Sequence, residues 1–103
     1  MQFDVYPNPI ARARRAFPLV IVLQSNLAET GHDRVVAFLA PKTAMQATTG
    51  RLTPIVDVEG RAFVVLIHLL TNLQATDLKN ATANLGANRE RIVEALDWLF
   101  LGV

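Results

Sequence analysis

TPIVDVEGRAFVVLIHL, residues 53–69, is the part of the sequence that most clearly predicts a β-hairpin. An apolar run at 55–58 leads into the turn residues Glu59 and Gly60, and a second apolar run follows at 63–69. Two β-rich runs separated by a glycine-containing turn are typical of adjacent antiparallel strands. The centre of the chain is therefore predicted to be antiparallel sheet.

Three further segments extend this sheet. QFDVY, residues 2–6, alternates with Phe3 and Val5 on one face, as in a half-buried strand. FPLVIVLQS, residues 17–25, is rich in β-branched residues and apolar without interruption up to Leu23, as in a strand that is covered on both faces. RVVAFLAP, residues 34–41, predicts its antiparallel partner. Residues 73–78 predict a possible short strand, and residues 42–52 fit either a helical turn or a loop.

The end of the chain, NRERIVEALDWLFLGV at 88–103, predicts an α-helix over 89–101. Asn88 is a candidate N-cap, and Gly102 stands where helices often end in a left-handed residue. Apolar residues recur at i, i+4, i+7 and i+8, at Ile92, Leu96, Leu99 and Phe100. Such a stripe faces a core. The predicted class is β-rich α+β, an antiparallel sheet or barrel with one C-terminal helix.

A second row on the same helix is formed by Glu94, Trp98 and Leu101. Two interpretations stay open for this row. Trp98 either packs beneath a loop or belongs to an exposed patch, and exposed patches centred on Trp are typical of protein contact surfaces.

Length and composition bound the possible functions. The 103 residues, 51% of them hydrophobic and 18% charged, predict a single domain over 1–103. The net charge of +1 does not favour general binding to nucleic acid. The absence of cysteine fits a cytoplasmic protein. The most apolar window, residues 62–70, is too short to span a membrane, so no membrane association is expected.

Few residues are suited to catalysis. His32 lies in a predicted turn, and His68 lies in a predicted strand, where a structural role is the favoured interpretation. Ser25 lacks the glycines of a nucleophile elbow, and no glycine loop for phosphate is present. We expect no cofactor and no metal. The basic cluster of Arg12, Arg14 and Arg15 is interpreted as a solvated loop.

Three segments, in the same order, resemble the CcdB family of bacterial toxins. They are MQFDVY at 1–6, VLQSNLAETGHDRVVAFLAP at 22–41 and ERIVEALDWLFLGV at 90–103. Family members begin with a similar strand, carry a Gln-Ser-Asp/Asn loop, and end on a helix that closes in Gly-Ile. The resemblance covers almost the whole length except the loop with the three arginines.

The resemblance implies a homodimer of subunits with an SH3-like barrel and one C-terminal helix. It also implies a non-enzymatic toxin that binds the A subunit of DNA gyrase, traps cleaved DNA, and is neutralised by a cognate CcdA-like antitoxin. No direct sequence-specific nucleic-acid binding is expected. The implied gyrase-binding residues are Trp98, Leu101, Gly102 and Val103. The implied antitoxin-binding residues are Ser25, Asn26, Leu27, Ala28, Asp97 and Trp98.

The sequence departs from the family pattern at Leu101, where well-known gyrase poisons have Trp, and at Gln74, where Pro is common. A Leu fills an apolar slot but loses π-stacking worth about 0.5–2 kcal/mol. Two alternatives stand beside the gyrase toxin. One is a non-toxic homologue that only binds antitoxin, and the other is a ribonuclease toxin on the same fold.

Overall fold

The sheet and the C-terminal helix account for most of the described chain. The computed structural model describes residues 1–25, 31–44 and 52–102. Its strands are β1 (Asp4–Pro7), β2 (Leu19–Val22), β3 (Asp33–Pro41), β4 (Ile55–Val58), β5 (Arg61–Gln74) and β6 (Ala83–Asn84), and its helix is α1 (Arg89–Leu101).

The strands form one antiparallel sheet in the order β4-β5-β3-β2-β1-β6. The sheet curls into a nearly closed, SH3-like barrel that carries α1 at the end of the chain. The predicted hairpin is confirmed, because Val58 pairs with Arg61 across a turn in which Glu59 and Gly60 both have positive φ. The predicted antiparallel pairing of β2 with β3 is also confirmed.

A bulge in β5 bends the long strand around the barrel. Phe38 of β3 pairs with Leu66, whereas its neighbour Ala37 pairs with Leu70. Three residues of β5 thus lie between consecutive partners, and such insertions bend a strand and increase its twist. Within the insertion Ile67 is buried, while His68 is exposed. The structural role favoured for His68 is therefore not that of a buried core residue.

Alternation along the strands places the core inside the curled sheet. Phe3 and Val5 are both buried there, as the alternation at 2–6 predicts. On β2 the side chain of Ile21 enters the same core, whereas Val20 and Val22 enter a second cluster on the other face. All three β2 residues are at most 1% exposed, which confirms that this strand is covered on both faces.

Helix α1 docks on the core through one narrow stripe. Ile92 and Ala95 are fully buried, and Leu96 with Leu99 packs partly buried against the same cluster. The predicted bounds of the helix are confirmed. The predicted cap is wrong, because the Asn88 side chain makes no capping hydrogen bond within the described residues. A 3₁₀ turn at Gly86–Asn88 leads directly into α1 instead.

The structure shows the secondary structure of residues 73–78 and of part of residues 42–52. The possible strand at 73–78 is wrong, because β5 continues to Gln74 and a 3₁₀ turn follows at Ala75–Asp77. For the undecided segment 42–52, a 3₁₀ turn occupies Lys42–Ala44, and residues 45–51 lie outside the described residues.

Candidate functional site

The last turn of α1 presents large apolar side chains to solvent. Phe100 is 67% exposed and Leu101 is 70% exposed, whereas Ile92 and Ala95, earlier in the same helix, are fully buried. Solvation of this much apolar surface is unfavourable unless a partner covers it. The end of α1 is therefore the candidate functional site.

The assignment of Phe100 to the core is wrong. At about 100° per residue, Phe100 lies roughly 80° around the helix from Ile92. The buried stripe extends the other way, because Ala95 at about −60° is fully buried. Ala95 was the signal in the sequence, since a small residue allows the closest approach of helix to sheet. When Ala95 is counted as part of the buried stripe, the centre of the stripe moves away from Phe100. Phe100 then lies on the exposed side of the helix.

The row of Glu94, Trp98 and Leu101 is neither fully packed nor fully exposed. Glu94 and Leu101 are exposed, whereas Trp98 is half-buried. Asp97, the predicted polar contact, is exposed one residue before Trp98. The structure therefore brings Asp97, Trp98 and Leu101 together at one helix end, with Phe100 added to them.

Gly102 ends the helix in a left-handed conformation, with φ 71° and ψ 20°. Its N–H donates to the carbonyl oxygens of Asp97 and Trp98, both at 3.2 Å. A glycine adopts this conformation without the steric cost that a Cβ brings. The chain therefore turns sharply directly after Leu101. The predicted contact residue Val103 lies outside the described residues.

The other predicted contact segment follows β2. Ser25 is exposed, whereas Asn26, Leu27 and Ala28 lie outside the described residues. Gln2 ties this region to the start of α1: its Nε2 donates to the Leu23 carbonyl at 3.1 Å, and its Oε1 accepts from Arg89 at 3.4 Å. The end of the β2 segment is thus held next to the first turn of the helix.

The two histidines do not form a common site. His32 precedes β3, and its carbonyl accepts from the Ala75 N–H just beyond the end of β5. His68 lies six residues before Gln74 on that strand, which is on the order of 20 Å at the rise of a β-strand. Such a separation argues against a shared catalytic role for the two histidines.

The described residues contain neither a group of candidate metal ligands nor a membrane-spanning helix. Among residues 1–25, 31–44 and 52–102, no three His, Asp or Glu side chains are grouped so that they could hold a metal ion. In that same part of the chain, no helix has the length and apolar character needed to cross a bilayer.

Comparison with known proteins identifies the family of this chain. A family model described as CcdB protein matches residues 2–102. No curated protein sequence matches the chain. The family match spans the strands, the arginine loop and the exposed end of α1.

Proposed function

This chain belongs to the CcdB family, whose members are toxins of toxin–antitoxin modules, and from that premise we propose that it poisons DNA gyrase. It acts in the cytoplasm by binding the gyrase A subunit and trapping the enzyme on cleaved DNA. The inhibition arises from binding rather than from catalysis by the toxin, and no cofactor takes part.

The observation that carries the proposal is the exposed end of α1. Ile92 and Ala95 anchor the helix in the core, so its last turn is held on a rigid base. On that base Phe100 and Leu101 remain about two-thirds exposed. Large apolar side chains held in a fixed orientation are suited to enter a pocket on a partner, because little conformational entropy is lost on binding.

The residues assigned to gyrase are Trp98, Leu101, Gly102 and Val103, with Phe100 added from its exposure. Phe100 supports the proposal because it supplies an aromatic ring directly beside Leu101, where well-known family members have Trp. The loss of a Trp at that position is therefore offset in part by an exposed neighbouring ring.

A cognate CcdA-like antitoxin neutralises the toxin by covering the same end of α1. Its contact residues are Ser25, Asn26, Leu27, Ala28, Asp97 and Trp98. Ser25 and Asp97 are exposed and polar, as a rim around an apolar centre requires. A flexible antitoxin segment that folds on binding can contact both Ser25 after β2 and the end of α1. The toxin itself is proposed to be a homodimer.

Expression in a gyrase-bearing bacterium tests this function. We expect the chain to stop growth when it is expressed alone and to leave growth normal when a cognate antitoxin is co-expressed. A gyrase A variant that resists the known family toxins should restore growth without any antitoxin. Normal growth of cells that accumulate the folded chain, without antitoxin, contradicts the proposal.

Leu101→Trp is expected to strengthen binding to gyrase A. A Trp at this position restores a planar π-face worth about 0.5–2 kcal/mol, which is about a twofold to thirtyfold gain in affinity. Because Leu101 is 70% exposed, thermal stability should stay nearly unchanged. Calorimetric titration of purified gyrase A with each protein measures the gain.

The matched control for this substitution is Leu52→Trp, at an exposed leucine far along the chain from α1. It should leave the affinity unchanged. Equal gains from Leu52→Trp and Leu101→Trp would contradict the assignment of the helix end. An inactive parent that becomes toxic with Leu101→Trp would favour the non-toxic homologue that only binds antitoxin.

A further inference from the structure

Basic side chains from two distant parts of the chain meet at one surface depression. Arg14, from the loop between β1 and β2, and Lys79, which follows β5, line the same depression. Its other polar walls include Asn8, Asn80 and the acidic residue Asp77. Arg12 and Arg15 lie beside Arg14 on the same loop and are exposed. We call Arg12, Arg14, Arg15 and Lys79 the basic patch.

The loop that carries the three arginines is held in place by Asn8, which is fully buried. The Asn8 Nδ2 donates to the Phe17 carbonyl at 2.8 Å, and its Oδ1 accepts from the Ile10 N–H at 2.9 Å. Its backbone N–H donates to the Pro18 carbonyl at 3.0 Å. One buried side chain thus joins the two ends of the loop. Cations on a fixed loop lose less entropy when they bind an anion.

Arg14 is oriented by the same residue. Its Nε donates to the Asn8 carbonyl at 2.8 Å. A guanidinium has five N–H groups in a planar fork, and this hydrogen bond uses only the one on Nε of Arg14. The planar fork matches the oxygens of a phosphate, which can accept two parallel hydrogen bonds from it.

The charge of the chain is unevenly distributed, although its total of +1 is near neutral. The basic patch holds four of the ten Lys and Arg residues and, with Asp77, one of the nine acidic residues. This region therefore carries +3, and the rest of the chain carries −2. A local field of this kind attracts a polyanion to one side of the molecule, which the net charge alone does not indicate.

We propose that the basic patch binds the backbone phosphates of duplex DNA without reading base sequence. The choice of DNA as the polyanion rests on the proposed function, because a gyrase poison acts beside cleaved DNA. Contacts from Arg and Lys to phosphates position a protein on a duplex and carry no sequence information. The basic patch then binds DNA, and the end of α1 binds gyrase.

The test measures binding of the purified chain to a fluorescent 30-base-pair duplex of mixed sequence by anisotropy, with no gyrase present. At about 50 mM salt we expect a dissociation constant on the order of 10⁻⁵ to 10⁻⁴ M. Four phosphate contacts, one from each residue of the basic patch, give a slope near −3.6 in log affinity against log salt, so affinity should fall about 150-fold at about 200 mM. Arg12→Gln with Arg15→Gln should reduce that slope by about 2.

The matched control removes the same charge elsewhere, through Lys42→Gln with Arg91→Gln, and should retain most of the binding and the slope. Arg14 is left unchanged in both variants because it hydrogen-bonds Asn8 and supports the loop. Loss of binding that is equal in the two double variants overturns the proposal, as does wild-type binding that does not depend on salt. Tight patch-dependent binding to polyglutamate without binding to the duplex also overturns it, in favour of an acidic protein partner.

Growth arrest and DNA binding can fail separately. If the duplex is not bound but expression still stops growth through gyrase, the DNA-binding inference is wrong and the proposed function stands. If the duplex is bound through the patch but gyrase is unaffected, the phosphate site stands and the proposed function is wrong.

Discussion

Phe100→Ala combined with Leu101→Ala is expected to weaken binding to gyrase A by about 30- to 1,000-fold. This range corresponds to a loss of about 2–4 kcal/mol, as is typical when large apolar anchors are truncated at an interface. Both side chains are about two-thirds exposed, so the free energy of unfolding should change by no more than about 0.5 kcal/mol. Calorimetric titration of gyrase A and urea unfolding of the toxin measure the two quantities.

Leu52→Ala combined with Leu69→Ala is the matched control for this double variant. Both leucines are exposed large apolar residues outside α1, at 36% and 38%. This control should bind gyrase A as the parent does. If the control loses as much affinity as the variant of Phe100 and Leu101, the contact surface does not lie at the helix end. The same conclusion follows if the variant Phe100→Ala and Leu101→Ala binds gyrase A with the affinity of the parent.

Ile92→Ala is expected to destabilise the fold by about 2–5 kcal/mol. The Ile92 side chain is fully buried in the core under α1, and truncation removes packed methylene groups and leaves a cavity. A 13-residue helix is marginal by itself in water, so α1 depends on this burial for its stability. Urea unfolding followed by far-ultraviolet circular dichroism measures the loss.

The control for Ile92→Ala is Arg91→Ala, one position earlier on the exposed face of the same helix. Alanine is a good helix former, and no core contact is lost, so the change should be within about 0.5 kcal/mol. A cost below about 1 kcal/mol for Ile92→Ala would contradict the docking of α1 through this stripe. In that case the end of the helix would not stand on a rigid base.

The sheet could be predicted from the sequence because alternation and turn chemistry are local signals. The turn at Glu59 and Gly60 and the alternation of Phe3 with Val5 each identify a strand without knowledge of its partner. The bulge opposite Ala37 and Phe38 could not be predicted in this way, because a continuous apolar strand gives no sign of where its register shifts. The exposure of His68 follows from that bulge and was missed for the same reason.

The candidate site was predicted less completely than the fold. Helical periodicity places Ile92 in the core, but it gives no information on how far the sheet extends beneath the last turn of α1. Phe100 was therefore assigned to the core, although it is among the most exposed large apolar residues. The Asn88 cap failed because a 3₁₀ turn starts the helix instead. The basic patch was missed because Arg14 and Lys79 are 65 positions apart in sequence.

The most direct test of gyrase poisoning through the end of α1 is a cleavage assay with purified components. Supercoiled plasmid, purified gyrase, ATP and the purified chain are incubated, and linear DNA is quantified after detergent and protease treatment. Linear DNA should increase with the concentration of the parent chain and should stay at background with the variant Phe100→Ala and Leu101→Ala. No linear DNA above background at saturating parent chain, or equal cleavage by parent and variant, would contradict the proposed role of the helix end.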